Sequence, residues 1–443
     1  MTDLPKGSKK LLNAWAFYDW ANSVYSLVIA SAVFPIFYAA LFKSAEVETV
    51  QIFGGEIRST PLISYTTAAA FLLISIISPV LSGVADYIGN KKLFMKIFCY
   101  LGAVSCIGLY FFSLEHIYIS LFLYFFGLVG FWGSLVFYNS YLPDIAHPEQ
   151  QDSISAKGYS MGYIGSVVLL LFNLAMVMFP QAFGLGEGGE ASLLAMKISF
   201  VTVGVWWIVF SQYSFRHLPK GNSEGKKMHS RIFLNGISEL KGVYKSLSGN
   251  KRLKRYLAAF FVYSMAVQTV MLVATYFGEQ EIGWGDDDAK TMGLIVSILL
   301  IQLVAVLGAI LTAHSSARFG NIPTLIVINL IWVVICIIAF FIETPVQFYA
   351  TAGVVGLVMG GIQSLSRSTY SKFLPETEDT TSYFSFYDVT EKIGIVIGMF
   401  IYGFIDQVTG SMRNSILFLV VFFGIGVLLL VRVPRQEIKK AAE

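Results

Sequence analysis

Apolar residues fill twelve long stretches of the chain, and polar residues gather between them. The stretches run near residues 14–42, 62–85, 92–113, 117–141, 156–180, 191–214, 254–278, 291–313, 323–342, 346–370, 384–405 and 413–433. About 20 mostly apolar helical residues cross a bilayer core, so each stretch predicts a membrane-spanning helix. The short alternating segments of a transmembrane barrel are absent. Gly and Ser inside the runs fit, because small residues let membrane helices pack closely. The first run is too long for the core of a cleavable signal and lacks a cleavage site, so it is expected to be retained.

The charge content agrees with lipid as the solvent. Only 13% of the 443 residues are charged and 56% are hydrophobic, against about a quarter charged in soluble chains. Lys6, Lys9 and Lys10 precede the first span, Lys91, Lys92 and Lys96 follow the second, and Arg432, Arg435, Lys439 and Lys440 follow the last. The most basic stretch, with Arg216, Lys220, Lys241, Lys245, Lys251, Lys254 and Arg255 among others, joins spans six and seven. Acids such as Glu46, Glu48, Glu187 and Glu190 lie in the alternate loops. With twelve spans every basic cluster falls on one side, and the positive-inside rule makes that side cytoplasmic, both termini included. An odd count would split them.

The linker has a pattern of its own. Phe233, Ile237, Leu240, Tyr244 and Leu247 recur every three or four residues among basic positions, which predicts a short amphipathic helix on the inner membrane surface. A flexible basic tether fits as well. Its expected partner is membrane lipid; aromatic interleaving is too sparse for nucleic acid. Cys99, Cys106 and Cys336 all lie within spans and are expected to be reduced and buried.

The chain repeats itself. Gly83-Val-Ala-Asp86-Tyr-Ile-Gly89-Asn90 after span two returns as Ser315-Ser316-Ala317-Arg318-Phe319-Gly320-Asn321 after span eight. Gly127-Leu128-Val129 and Leu142-Pro143 return as Gly356-Leu357-Val358 and Leu374-Pro375, and Gly162 as Gly394. The order is kept throughout. This predicts an all-α integral membrane protein of two pseudo-symmetric six-helix bundles: residues 1–215, a basic linker over 216–253, and residues 254–443.

Two places concentrate chemistry. The loop carrying Gly83, Asp86, Gly89, Lys91 and Lys92 resembles the signature between spans two and three of the major facilitator superfamily, with the basic pair one residue late. Asp86 ends a helix, where the macrodipole disfavours an anion, so it requires a cation or a helix N-terminus as partner. A partner on the other half would make a latch. In the first span, Asp19, Asn22, Ser23 and Ser26 form one polar stripe, with Tyr18 and Tyr25 beside it. A carboxylate inside a span costs a few kcal/mol unless it faces a cavity or a partner, which makes Asp19 a candidate for substrate or proton binding.

The string Tyr18-Asp19-Trp20-Ala21-Asn22-Ser23 resembles that of the vacuolar amino-acid effluxers linked to autophagy, a family with many bacterial members. The resemblance implies the major facilitator fold and export of amino acids. It departs in the seventh span, where Tyr263-Ser264-Met265-Ala266 lacks the acid that relatives carry.

Further candidates lie in the second half. Tyr263 and Gln268 in span seven, and Gln363 in span ten, are candidate substrate contacts. Arg367, one turn beyond Gln363, is placed to pair with a substrate carboxylate or with Asp388 or Glu391, or to snorkel to the interface. Lys392 follows Asp388 and Glu391 and can neutralise either or reach Asp86. Gly83, Asp86, Gly89, Lys91, Lys92, Arg367, Asp388, Glu391 and Lys392 are thus the expected gating set. Gly158, Gly162 and Ser166 in span five, and Gly394 and Gly398 in span eleven, are expected packing seams.

Enzyme signatures are missing. His116, His147, His217, His229 and His314 lack metal-ligand spacing, and no phosphate-binding loop occurs. The expectation is a secondary transporter of small solutes in a bacterial inner membrane, without cofactor, needing no oligomeric partner. Proton-coupled amino-acid export leads; drug or lipid efflux, and a non-transporting receptor, remain open.

Overall fold

The computed structural model describes residues 4–52, 54–221 and 232–434. The first span is α1 (Lys9–Val24), which runs through a π-helical stretch, Tyr25–Val33, into α2 (Phe34–Ser44). The Ser31 hydroxyl donates to the Ser26 carbonyl at 2.8 Å, five residues back, inside this wider coil. A hairpin of β1 (Thr49–Ile52) and β2 (Gly55–Arg58) follows. The first half continues with α3 (Ser59–Ile88), α4 (Lys91–Gly108), α5 (Ile117–Ser140), the short α6 (Leu142–Ile145), α7 (Pro148–Met178) and α8 (Gly188–His217). The linker holds α9 (Ile232–Gly249). The second half comprises α10 (Lys251–Glu281), α11 (Asp287–Phe319), α12 (Asn321–Phe341), α13 (Pro345–Phe373), α14 (Thr380–Thr409) and α15 (Met412–Val431).

Among the described residues, eleven helices are long and apolar enough to cross a membrane. The 30-residue α14, which carries Asp388, Glu391 and Lys392, completes twelve. Each half buries its own apolar core. The sequence repeat is visible in the backbone. Gly89 ends α3 at φ 67° and Gly320 follows α11 at φ 88°. Both turns need a positive φ that a side chain would strain.

Several helices begin earlier than the hydropathy pattern indicates. The fifth span starts at Pro148, not near 156, and the eleventh at Thr380, not near 384. A first turn rich in polar residues sits at the membrane boundary, where hydropathy no longer marks the helix.

The predicted glycine seams pack helix on helix within each half. A Cβ at Gly162 would meet the Ser23 side chain of α1, and one at Gly165 would lie 2.9 Å from the Trp20 carbonyl. In the other half, a Cβ at Gly394 would stand 3.4 Å from the Met265 side chain of α10. The halves meet where α7 lies on α11 and α13, and where α3 lies on α14. These are the two contacts that the pseudo-twofold relation makes equivalent.

Candidate functional site at the interface of the halves

Arg367 on α13 projects into the first half rather than snorkelling to the interface. It is 2% exposed, and its guanidinium lies 3.4 Å from the Asp19 carboxylate on α1. The expected pairing with Asp388 or Glu391 is not formed. Nε donates to the Ser155 hydroxyl and Nη2 to the Ser155 carbonyl, both at 3.0 Å, and Nη1 to Asn139 Oδ1 at 3.1 Å. The cation also lies 4.3 Å from the Tyr159 ring centroid and 4.7 Å from that of Trp15. Asp19, itself 4% exposed, accepts a further bond from the Tyr138 hydroxyl at 2.7 Å. The fork of guanidinium donors is therefore spent on α1, α5 and α7 of the opposite half, as a buried charge requires.

Gly158 on α7 makes room for this pair. A Cβ there would collide with Asp19 Oδ2 and sit 3.1 Å from the Tyr138 hydroxyl and 3.2 Å from Arg367 Nη2. The glycine expected as a packing seam also holds open the space for the pair.

A second charged group lies on α14. Lys392 pairs with Asp388 one turn earlier rather than with Asp86. Its ammonium lies 4.6 Å from the centroid of Trp132, on α5 of the first half. Glu391 accepts from Gln268 on α10 at 2.8 Å. A further bond between the halves runs from the Tyr163 hydroxyl of α7 to Gln363 Oε1 of α13 at 2.6 Å.

Towards the end of the bundle that carries the termini, the halves are closed against each other. Asp86 accepts the backbone N–H of Ser382 at 2.7 Å and of Thr381 at 3.3 Å, in the first turn of α14. The acid at the end of one helix thus answers the exposed N–H groups at the start of another. Lys91 pairs with Asp144 and donates to the Thr380 hydroxyl at 2.8 Å. Lys92 bonds within its own half, to the Leu218 carbonyl at 2.7 Å. Gly89 makes the turn between Asp86 and these lysines, and Gly83 is buried one turn before Asp86.

The equivalent contact on the other side has its charges exchanged. Asp152, in the second turn of α7, accepts from Lys372 at 2.6 Å, Ser316 at 2.8 Å and Asn321 at 2.9 Å. The acid here sits near the start of α7 and not at the end of α11, where Ala317 stands in the place of Asp86. By hydropathy alone Asp152 falls between the fourth and fifth apolar stretches. The hydrophilic start of α7 masks it. A polar cavity of about 590 Å³, lined by Lys6, Asp86, Lys91, Asp144, Lys372 and Glu376 among others, opens beneath these contacts.

Other predicted site residues pack elsewhere. Tyr18 contacts the rings of Tyr138 and Phe215, and Tyr25 those of Phe131 and Trp207, all in the first half. Asn22 is buried and accepts from the Ser23 hydroxyl at 3.3 Å. Tyr263 bonds to Ser366 at 2.7 Å and Tyr256 at 3.2 Å, inside the second half. Asn139, Ser155 and Tyr159, which complete the Arg367 site, carry no sequence signal beyond being small, polar or aromatic within spans.

Twelve spans in two repeated halves, joined through a buried ion pair, define a transporter of the major facilitator superfamily rather than an enzyme. A fucose transporter of that superfamily, FucP, solved in the outward conformation, superposes with a TM-score of 0.68 at 14% identity, covering 96% of this chain and 99% of that one. The proton:xylose symporter XylE gives 0.71 at 12% identity, over 96% and 95%. Within the superfamily, the chain belongs to the family described as vacuole effluxer Atg22 like, whose model matches residues 7–443. The uncharacterized MFS-type transporter YxiO of Bacillus subtilis (strain 168) is 30% identical over 96% of this chain and 95% of its own length. Autophagy-related protein 22-2 of Aspergillus niger is 24% identical over 87% and 76%.

Proposed function

We propose that the chain exports small carboxylate-bearing solutes, amino acids foremost, by alternating access between its two halves. One observation carries this reading: a buried ion pair, Asp19 with Arg367, whose members belong to different halves. Such a pair must be broken and remade when the halves rock. A substrate carboxylate competes with Asp19 for the guanidinium fork, and a proton on Asp19 releases it. The effluxer name of the matched family supports export.

The end bearing the termini faces the cytoplasm in this reading, because the basic residues collect there. The state described is then closed to the cytoplasm. Asp86, Lys91 and the Asp152–Lys372 pair act as its gate, with Gly83, Gly89 and Lys92 shaping the loop. Asp388, Glu391 and Lys392 form a second inter-half contact through Trp132. Gln268, which donates to Glu391, and Gln363, which accepts from Tyr163, are the polar substrate contacts of this reading. The protein works as a monomer in a bacterial inner membrane.

Flux from proteoliposomes tests the reading. Labelled amino acids are expected to exchange across the bilayer, faster with a proton gradient. No flux for any amino acid, together with flux of a cationic dye or a labelled phospholipid, would replace it with the drug or lipid efflux alternative.

A further inference from the structure

The linker helix α9 is neither a tether nor wholly given to the membrane. It packs against α3 of the first half and touches α10 and α14 of the second. Val243 is 3% exposed, and Leu247 packs on the second-half core. The Ser246 hydroxyl accepts from Tyr383 at 2.9 Å, in the first turn of α14. The same turn is the one whose N–H groups Asp86 of α3 accepts. So α9 lies across the seam that Asp86 closes.

The face of α9 turned away from the protein has a different composition. Lys241 and Lys245 are exposed there, one turn apart, beside the exposed Ile237, and Tyr244 is exposed at its edge with its ring centroid 6.2 Å from that of Phe386 on α14. Lys251, Lys254 and Arg255, at the start of α10, extend the exposed basic surface. Basic groups interleaved with one aliphatic and one aromatic side chain suit the boundary of a bilayer, where cations meet phosphates and apolar groups enter the acyl region.

We infer that this face of α9 binds the anionic headgroups of the adjacent leaflet, and that lipid bound there braces the closed seam between α3 and α14. The occupant follows from charge complementarity: lysines are attracted to an anionic surface and not to a zwitterionic one. The effect on the seam follows from α9 packing on α3 while it bonds to α14. A helix held at the membrane in that position opposes the separation of α3 from α14. The inference rests on the alternating-access reading, but its test needs no substrate.

The full chain carrying Glu149→Cys and Glu376→Cys, one exposed site on each half at this end, is spin-labelled and placed in nanodiscs. The native cysteines are buried. Distances are compared between phosphatidylcholine alone and phosphatidylcholine with phosphatidylglycerol. The anionic lipid is expected to enrich the short-distance population. Lys241→Gln with Lys245→Gln is expected to reduce that enrichment roughly fivefold per lysine, leaving the distribution in pure phosphatidylcholine unchanged. Lys241→Arg with Lys245→Arg is expected to keep it. Identical distributions in the two lipids, or full enrichment in the glutamine variant, would overturn the inference. So would inorganic phosphate reproducing the shift in pure phosphatidylcholine. Absence of flux in the transport assay, with the lipid effect intact, would count against the transport reading alone.

Discussion

Arg367 and Asp19 stand 348 residues apart in sequence and 3.4 Å apart in space, one in each half of the molecule. Neither charge has bulk water to solvate it, so each depends on the other and on the bonds from Tyr138, Asn139 and Ser155. That dependence makes the pair sensitive to substitution.

Removing one member strands the other. Arg367→Gln leaves a buried carboxylate and Asp19→Asn leaves a buried guanidinium, each at a cost of about 3–5 kcal/mol. The double variant is expected to lose less than the sum, by about 0.5–3 kcal/mol, because the two side chains share one interaction. Thermal unfolding of the four proteins in detergent measures this. Strictly additive losses would show that the pair is not coupled.

Gly158 is where a single methyl group should be felt. Gly158→Ala places a carbon against Asp19, Tyr138 and Arg367, and overpacking of this kind costs about 1–3 kcal/mol. Reduced flux and a lower unfolding temperature are expected. Gly242→Ala on α9, where nothing lies within 4 Å of the added carbon, is expected to leave the unfolding temperature unchanged or raise it. Equal effects at the two sites would contradict the packing account.

The Asp86 contact should set the balance between states. Asp86→Asn removes the charge that two N–H groups of α14 answer, a loss of about 1 kcal/mol, or roughly a fivefold shift towards opening at that end. A cysteine at Ser364, buried at the interface, reports it through its labelling rate with maleimide. The rate is expected to rise in Asp86→Asn. An unchanged rate would mean that Asp86 does not hold the seam.

Arg413 serves a different purpose, at the opposite end and within one half. It donates to Glu281 Oε2 at 2.7 Å and to the Phe340 and Ile342 carbonyls at 2.8 and 2.7 Å, tying α10, α12 and α15 together. Arg413→Met is expected to lower stability by about 1–3 kcal/mol, since carbonyls lose their donor. The Ser364 labelling rate should not change. A faster rate would reveal coupling between the two ends.

The span count and the repeat are legible in the sequence, and so is the need of Asp19 for a partner, because hydropathy and a lone carboxylate in a span are strong local signals. Pairings across the interface are not. Arg367 lies near the end of its span, where snorkelling and burial give the same pattern, and only the packing of α13 on α7 decides between them. Asp152 is lost because a polar helix start resembles a loop. Tyr18 turns into the first half's aromatic core although it neighbours Asp19, since residues one apart on a helix point in different directions, and Tyr25 packs there from the π-helical stretch that follows α1.

The most direct test of two halves that must separate at this end uses a reversible lock. The hydroxyls of Ser140 on α5 and Thr381 on α14 lie 3.4 Å apart across the interface. In proteoliposomes carrying Ser140→Cys with Thr381→Cys, flux of a labelled amino-acid mixture is measured oxidised and then reduced. Oxidation is expected to abolish flux and reductant to restore it. Equal flux in a fully cross-linked protein would contradict alternating access through this interface.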